Sequence, residues 1–321
     1  MTTVSKTDMR DAFFGTLYDV ARDNRDVVVL SNDFGAPSLD RFRADLPGQF
    51  VNAAISEQNM MSTAAGMAMR GKKVVVYSIA TFATLRALEQ TKVDICSMKQ
   101  PVTILAVGAG YAYSTDGPTH HATEDIAVMR SLAHMEVLSP SEPAMAGALA
   151  TQVPYTSGPR YIRLDRGKWP LLDETGRDDL SAGLRVPRHG QDVVLVATGI
   201  MVHRALQVAD TLAQQGMSAR VLDLYRLKPL DLERFREALA GAKAVATIEE
   251  HTMHGGVGSV VAEAMADAGV LKPLKRFAIP DELLYAYGER DTLHVERGLD
   301  VDGIAEALAR WFTRLPAPAG R

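Results

Sequence analysis

Short runs of β-branched and aliphatic residues alternate along the chain with longer segments of helical period. The strands that this pattern predicts are 27–30, 73–77, 102–107, 135–138, 161–164, 193–197, 219–224 and 243–248. The helices that it predicts are 60–69, 85–98, 144–152, 202–215, 232–240, 259–268 and 304–312. Such alternation is typical of α/β folds, in which parallel strands are buried between helices. We therefore expect an α/β protein with mainly parallel sheets and helices on both faces.

The pattern also predicts local boundaries. Ser139-Pro140-Ser141 is placed to cap the helix 144–152, and Gly216 is placed as the C-terminal glycine cap of the helix 202–215. Residues 173–191 are the least periodic stretch of the chain, which indicates a domain boundary. We expect a first domain at 1–175, a linker at 176–189 and a second domain at 190–321.

Composition agrees with two soluble domains, since 321 residues exceed the roughly 150 typical of one domain. The chain is 47% hydrophobic and 23% charged, which excludes disorder as its main state. Its 35 basic and 39 acidic residues leave a net charge of −4. Because no basic excess is present to neutralise a phosphate backbone or an anionic bilayer, we expect neither nucleic acid nor membrane as a partner.

Cysteine content and apolar runs bear on the cellular compartment. The single Cys96 excludes an intramolecular disulfide framework and suits a reducing cytosol, and its position inside a predicted helix indicates a buried thiol. The first 20 residues have no signal-peptide pattern, and runs such as 102–107 fall far below the roughly 20 residues that span a bilayer. We expect a cytoplasmic protein.

Glu57 stands at the start of an apolar helix. An acid there is most often a first-turn residue that the helix macrodipole favours, by about 0.3–1 kcal/mol. The neighbouring Met60, Met61 and Ala64 instead predict deep burial. A buried carboxyl group holds its proton tightly and can exchange it with a basic ring nitrogen, so both interpretations are open on the residues alone.

The segment Asp116-Gly117-Pro118-Thr119-His120-His121 follows a predicted strand. Loops at the carboxyl ends of parallel strands are where α/β folds bind ligands. A zinc site is disfavoured because adjacent histidines point apart and no third ligand follows at helical spacing. A histidine that relays a proton or contacts an oxyanion is more plausible, and the alternative is a plain turn stabilised by Asp116 and Pro118.

Two further patterns are ambiguous. Arg160, Arg163 and Arg166 recur along a short strand, where an arginine can grip a phosphate or carboxylate or can simply face solvent. Because side chains alternate faces, Arg163 and Arg166 can share a pocket only if the strand ends between them. The glycine-rich segment 254–259 suits an anion nest at a helix start, but a tight structural turn is the favoured interpretation.

Taken together, these motifs resemble a known family. The first half of the chain resembles the pyrimidine-binding domain of transketolases. The motifs that carry this resemblance are Ile55-Ser56-Glu57-Gln58-Asn59, Ala64-Ala65-Gly66, Thr81-Phe82 with Arg86, and Asp116-Gly117-Pro118-Thr119-His120. Those in the second half, similar to the C-terminal domain of the same family, are 222–231 and Glu249-Glu250-His251 with 255–259. The 1-deoxyxylulose-5-phosphate synthases are close relatives with a similar loop.

The resemblance implies roles for six residues. Glu57 resembles the family glutamate that hydrogen-bonds the aminopyrimidine ring of thiamine diphosphate and so promotes ylid formation, and Phe82 resembles the aromatic residue that stacks on that ring. Asp116 and His120 resemble contacts to substrate hydroxyl and carbonyl groups. Arg166 resembles an arginine that grips a sugar phosphate, with Arg86 as a second candidate anion contact.

Departures from the family pattern are equally informative. Full-length transketolases carry a Gly-Asp-Gly motif that holds magnesium and diphosphate, and this sequence has none. We therefore expect the second subunit of a split transketolase, with Mg²⁺ and diphosphate bound by a separate chain in an α2β2 heterotetramer. Gly108-Ala109-Gly110 stands where many transketolases have a phosphate-contacting histidine, so the sugar substrate can be phosphorylated or unphosphorylated.

Three other functions are compatible with the same motifs. The first is the beta subunit of a 2-oxo acid dehydrogenase decarboxylase, which the Asp116–His120 loop disfavours. The second is an enzyme like 1-deoxyxylulose-5-phosphate synthase. The third is a non-catalytic scaffold, and the joint presence of Glu57, Phe82, Asp116 and His120 argues against it.

Overall fold

The computed structural model describes residues 6–33, 36–172 and 180–316. Its strands are β1 (Thr7–Asp8), β2 (Val27–Ser31), β3 (Phe50–Asn52), β4 (Lys73–Ile79), β5 (Val102–Val107), β6 (Glu136–Leu138), β7 (Arg160–Leu164), β8 (Lys168–Trp169), β9 (Arg185–Arg188), β10 (Val193–Ala197), β11 (Ala219–Asp223), β12 (Arg226–Lys228), β13 (Ala244–Thr252) and β14 (Leu274–Ile279). Its α-helices are α1 (Met9–Asp23), α2 (Asp40–Asp45), α3 (Glu57–Met69), α4 (Leu88–Gln90), α5 (Asp125–Ser131), α6 (Pro143–Thr151), α7 (Met201–Gln214), α8 (Leu232–Leu239), α9 (Val257–Asp267), α10 (Arg290–Glu296) and α11 (Val301–Phe312).

Seven of the described strands form the first sheet, in the order β12-β6-β7-β5-β4-β2-β3. All neighbours in it are parallel except β12, which runs antiparallel to β6. Successive residues of β2 face opposite sides, so Val27 and Val29 join one hydrophobic core while Val28 and Leu30 join another. Helices on both faces bury the central strands of the sheet, as their continuous aliphatic runs require, whereas the edge strand β3 is partly exposed.

The second sheet has the order β14-β13-β10-β11-β9 among the described strands. The strands β14, β13, β10 and β11 are parallel, and β9 pairs antiparallel with β11. The predicted α/β architecture with two mainly parallel sheets is therefore confirmed. The capping glycine also agrees with prediction, because α7 ends at Gln214 and Gly216 adopts φ +80°.

The two sheets divide the chain differently from the predicted boundaries. Strand β9 lies inside the predicted linker 176–189, and it closes one edge of the second sheet. Strand β12 comes from the second half of the sequence but pairs with β6 of the first sheet. Residues 173–179 of the predicted boundary region lie outside the described residues. The second half of the chain thus lends a strand to the first sheet, which a boundary drawn from periodicity alone does not anticipate.

Two helix predictions differ from the structure. The segment predicted as one helix at 85–98 begins earlier and consists of a π-helix (Phe82–Arg86), α4 and a second π-helix (Thr91–Cys96). The predicted cap at Ser139-Pro140-Ser141 is wrong, because Glu142 precedes α6 and makes no side-chain cap bond. The Ser141 hydroxyl instead donates to Asp223 Oδ2 at 2.6 Å, since a buried carboxylate is the stronger acceptor.

None of the described helices combines the length and the apolar character that crossing a membrane requires. Cys96 is buried, as predicted, and burial raises the pKa of its thiol to about 11. A thiol with such a raised pKa carries little thiolate at neutral pH and is a poor nucleophile.

Candidate active site

The carboxyl ends of four strands in the first sheet carry the residues predicted from the motifs. Glu57 follows β3, Phe82 follows β4, Asp116 and His120 follow β5, and Arg166 follows β7. Together with β2, these four strands form a continuous part of the sheet, in the order β7-β5-β4-β2-β3. Because parallel strands end at the same edge, residues distant in sequence meet there.

Glu57 is the first residue of α3, and its side chain is only 4% exposed. The turn before it passes through Ala54, which has a positive φ of 51° that an L-residue seldom adopts. The Ala54 carbonyl holds this conformation by accepting hydrogen bonds from Asp33 N at 3.1 Å and Asn32 Nδ2 at 2.8 Å. The strained turn directs the chain so that the helix starts with its carboxylate buried.

Arg86 is the partner of this carboxylate. Its Nη1 donates to Glu57 Oε2 at 3.0 Å, and its Cζ lies 4.2 Å from the centre of the Phe82 ring. A flat, delocalised group thus donates to the glutamate and stacks on the phenyl ring at once. An aminopyrimidine ring is also flat and also donates hydrogen bonds, so it can make the same two contacts in place of the guanidinium. Arg86, predicted as an anion contact, here points to Glu57.

From Phe82 the site continues through a series of ring contacts, the first edge-to-face and the second tilted. The Phe82 and His120 rings are 5.1 Å apart, and the His120 and Tyr113 rings are 6.0 Å apart. Arg166 Cζ then lies 4.9 Å from the centre of the Tyr113 ring. Contacts therefore link Glu57 to Arg166 without a gap along the edge of the sheet.

Tyr113 is a member of this line that the motifs did not identify. It lies in the loop between β5 and α5, three residues before Asp116, whose backbone N–H donates to its carbonyl at 3.0 Å. The available signal was an aromatic residue in a loop that also carries Asp116 and His120. Asp116 itself has an exposed side chain, as a contact to substrate requires.

The adjacent histidines point in different directions, as predicted. His120 faces Phe82, whereas His121 is buried and its ring lies 4.9 Å from that of Tyr111. Burial lowers the pKa of His121, so this ring is neutral at physiological pH. No group of three or more His, Cys, Asp or Glu side chains in the described ranges could hold a metal ion.

The three arginines at and just after β7 lie in different environments, because the strand ends at Leu164. Arg160 pairs with Glu136 at 2.6 Å, and Arg163 is buried against Asp125 with an Nε to Oδ2 distance of 2.7 Å. Arg166 lies beyond the strand end and is exposed. Of the three, Arg166 alone is placed to meet a ligand at the sheet edge.

Comparison with known proteins now identifies the family. Residues 5–170 match the transketolase pyrimidine binding domain, and residues 183–304 match the transketolase C-terminal domain. The chain belongs to the transketolase family. The resemblance inferred from the motifs is thereby confirmed.

Similar transketolases include separately encoded subunits as well as longer chains. One subunit of the apulose-4-phosphate transketolase of Phocaeicola vulgatus is 35% identical, with 95% of this chain and 97% of that protein covered. The Actinobacillus succinogenes protein of the same name is 32% identical, with 87% and 90% covered. The 1-deoxy-D-xylulose-5-phosphate synthase of Crocosphaera subtropica is 36% identical over 88% of this chain, which spans 44% of that enzyme.

Solved structures agree. A split-gene transketolase, described as an inactive β4 tetramer, superposes with a TM-score of 0.85 at 34% identity, covering 96% of this chain and 99% of that one. A transketolase from Pichia stipitis superposes with a TM-score of 0.82 at 18% identity, and it shares the fold over 98% of this chain and 47% of its own. The chain is thus similar to the second subunit of split transketolases over nearly its full length.

Residues of the transketolase C-terminal domain hold Asp165, which lies between the end of β7 and Arg166. Arg290 forms two 2.7 Å bonds to the Asp165 carboxylate, and its Nε donates to Glu250 Oε1 at 2.8 Å. His294 Nε2 also bonds Glu250. Burial alone would raise the pKa of Glu250, but Arg290 and His294 hold it well below its usual range. Motif analysis gave no signal for Arg290 or His294, which come together with Glu250 only through tertiary packing.

The glycine-rich segment before α9 is occupied from within the chain. The buried Glu249 carboxylate accepts hydrogen bonds from the backbone N–H groups of Val257 and Gly258, the latter at 2.7 Å. Burial raises the pKa of Glu249 to about 7. Since a side chain already takes the donors of this helix start, the favoured interpretation as a structural turn agrees with the geometry, and the anion nest does not.

Proposed function

We propose that this chain is the pyrimidine-binding subunit of a two-subunit transketolase, which moves a two-carbon ketol unit from a ketose to an aldose. The observation that carries the proposal is the row of contacts along the sheet edge, in which Arg86 bridges Glu57 and Phe82 and the rings of His120 and Tyr113 lead on to Arg166. It joins one end suited to a flat nitrogen heterocycle to another suited to a substrate anion. The relatives that match over nearly their full length are named as subunits of a transketolase, which supports the same activity.

Family membership implies thiamine diphosphate, which when bound would supply the nucleophilic carbon that ketol transfer needs. Glu57 would hydrogen-bond the aminopyrimidine ring and so stabilise the imino tautomer of that ring. Burial of Glu57 strengthens this hydrogen bond. Phe82 would stack on the same ring. For both to act, Arg86 must leave the position that it has between them.

The substrate would lie along the rest of the line. His120, whose ring contacts Phe82, would donate to the carbonyl oxygen of the ketose, and the exposed Asp116 would accept from its hydroxyl groups. Arg166, at the far end, would bind an anionic terminal group in a bidentate fork. These assignments use the two ends of the site for cofactor and substrate without overlap.

A separate diphosphate-binding chain would complete the site and supply the ligands for Mg²⁺ in an α2β2 heterotetramer. Large apolar side chains are exposed on the elements around Glu57, among them Ile55 at 78%, Leu85 and Val93. Such a face is normally covered by a partner. The name of the similar split-gene structure, an inactive β4 tetramer, supports a chain of this type that needs another subunit for activity. The single buried thiol supports a reducing, cytoplasmic setting.

The test is reconstitution with the separately encoded diphosphate-binding chain, followed by an assay of ketol transfer from a ketose to an aldose. Glu57→Ala is expected to abolish transfer while the two chains still co-elute. Glu233→Ala, which removes an exposed carboxylate on α8, is the matched control and should transfer at the wild-type rate. Full activity of Glu57→Ala would instead support a scaffold.

A second candidate is a reaction like that of 1-deoxyxylulose-5-phosphate synthase, since enzymes of that name are 34–37% identical to the chain. Such a reaction consumes pyruvate and glyceraldehyde phosphate together. Release of CO2 from pyruvate or a branched 2-oxo acid without an aldose acceptor would favour a 2-oxo acid dehydrogenase decarboxylase. Ketol transfer between sugars without CO2 release distinguishes the proposed activity from both.

A further inference from the structure

Gly108 and Tyr113 are packed against each other where the loop leaves β5. Gly108 has φ +98°, and a Cβ atom on it would lie 2.5 Å from Cδ2 of Tyr113, too close for any side chain. Glycine at position 108 therefore permits both the positive φ and the close approach of the Tyr113 ring. The half-buried phenol ring takes the space that a side chain at position 108 would otherwise fill.

Arg166 also contacts the Tyr113 ring. Its guanidinium carbon lies 4.9 Å from the ring centre, within the range of a cation–π contact. The backbone just before Arg166 is fixed, because the Asp165 carboxylate is held by two bonds from Arg290. Arg166 forms no ion pair with the residues that the structure describes, so the phenol ring is what orients its side chain.

Charges near the ring make this orientation important. Arg10, Asp116 and Asp8 also act on the Tyr113 hydroxyl, and burial raises the pKa of Tyr113. Arg10 is engaged by Asp11 at 3.1 Å and faces Asp8 at 4.0 Å. Because the Asp8 and Asp116 carboxylates repel an incoming anion, its binding depends on a bidentate hydrogen bond from Arg166, which requires the N–H edge of the guanidinium to point in a defined direction.

We propose that Tyr113 is a positioning residue that sets Arg166 for a substrate with an anionic end group, and that Gly108 is glycine in order to admit its ring. The inference rests on the proposed ketol transfer and adds a determinant of substrate selectivity. A stacked guanidinium keeps its planar edge free for a phosphoryl or carboxylate group, whereas an unstacked one samples many orientations.

The activity test compares D-ribose 5-phosphate with D-ribose as acceptors for the reconstituted enzyme. Tyr113→Leu is expected to lower the ratio of kcat/KM for ribose 5-phosphate to kcat/KM for ribose about fivefold. Gly108→Ala should have the same effect, because its methyl group displaces the ring. Tyr113→Phe, which keeps the ring, and Gly158→Ala, whose added Cβ meets nothing within 4 Å, should retain the wild-type ratio. An unchanged ratio in Tyr113→Leu overturns the proposal.

A second measurement needs no activity. In the isolated chain, the Nε–H proton of Arg166 should resonate at high field because of the Tyr113 ring current, and titration with inorganic phosphate should shift it. Tyr113→Leu should remove the ring-current shift and require about fivefold more phosphate for half the change. Identical shifts and titrations in wild type and Tyr113→Leu would refute the proposal. If these effects appear but no sugar is transferred, the proposed function fails while the role of Tyr113 stands.

Discussion

Arg86 donates a 3.0 Å hydrogen bond to the carboxylate of Glu57. The two residues are 29 positions apart and come from α3 and a π-helix that pack side by side. The arginine also covers the Phe82 ring, so both groups proposed to meet the cofactor are occupied by one side chain of the same subunit. The pair stabilises a buried carboxylate in the chain by itself, and a cofactor ring must exchange with it.

The strength of this pair can be measured by a double-mutant cycle with Glu57→Gln and Arg86→Met. We expect a coupling of about 1 kcal/mol in the free energy of unfolding, because Glu57 is buried but Arg86 is 45% exposed. Urea unfolding of the isolated chain gives the value. A parallel cycle on Arg236 and Glu233, an exposed pair on α8, should give a clearly smaller coupling, because solvent screens both charges. Equal couplings in the two cycles would mean that burial of Glu57 does not strengthen its ion pair with Arg86.

Cofactor binding should depend on the second chain. Only the residues proposed to meet the pyrimidine ring lie on this chain, and its described residues include no cluster of three or more metal-ligating side chains, so calorimetry on the isolated chain should detect weak or no binding of thiamine diphosphate with Mg²⁺. The reconstituted complex should bind it tightly. Tight binding by the chain without a partner would contradict the proposed division of the site.

Asp125, the first residue of α5, and Arg163 of β7 form a buried ion pair. The same Asp125 oxygen accepts from Tyr161 at 2.7 Å, and Arg163 reaches the carbonyl oxygens of Ala122 and Glu250. Asp125→Asn is expected to lower the free energy of unfolding by about 3–5 kcal/mol, because it leaves a buried guanidinium without a counter-charge. Chemical denaturation tests this. A loss below about 1 kcal/mol would show that the guanidinium is hydrated or finds another partner.

His251 should make stability depend on pH. Burial lowers the pKa of His251 from 6.5 to about 4, and its Nε2 accepts from Ala127 N at 3.3 Å, a bond that protonation would break. As the pH falls from 6.5 towards 4, the unfolded chain takes up a proton that the folded chain does not, so the free energy of unfolding decreases. The contribution is about 2–3 kcal/mol over that range.

The corresponding test compares wild type with His251→Gln by urea unfolding at several pH values. The variant should lose stability less steeply on acidification. His254→Gln, a change at an exposed histidine, should follow the wild-type curve. Parallel curves for wild type and His251→Gln would contradict the assignment of this histidine.

Helix α1 and the π-helices show where periodicity fails to predict structure. Helix α1 contains Gly15 and was not predicted, yet Phe13, Phe14 and Leu17 anchor it in the hydrophobic core. Tertiary burial outweighs the low helix propensity of one glycine. The π-turns that carry Phe82 and Arg86 have no signature in a pattern with period 3.6.

The sequence by itself determined the α/β class, most strand positions, the burial of Cys96 and the motif residues Glu57, Phe82, Asp116, His120 and Arg166. These depend on local composition and on spacing along the chain, which sequence displays directly. The tertiary structure alone decided that Arg86 faces Glu57, that Tyr113 lies between His120 and Arg166, and that Arg290 holds Asp165. Each of these contacts joins segments far apart in the chain or sets a direction within a loop, and both depend on how the strands are ordered in the folded sheet.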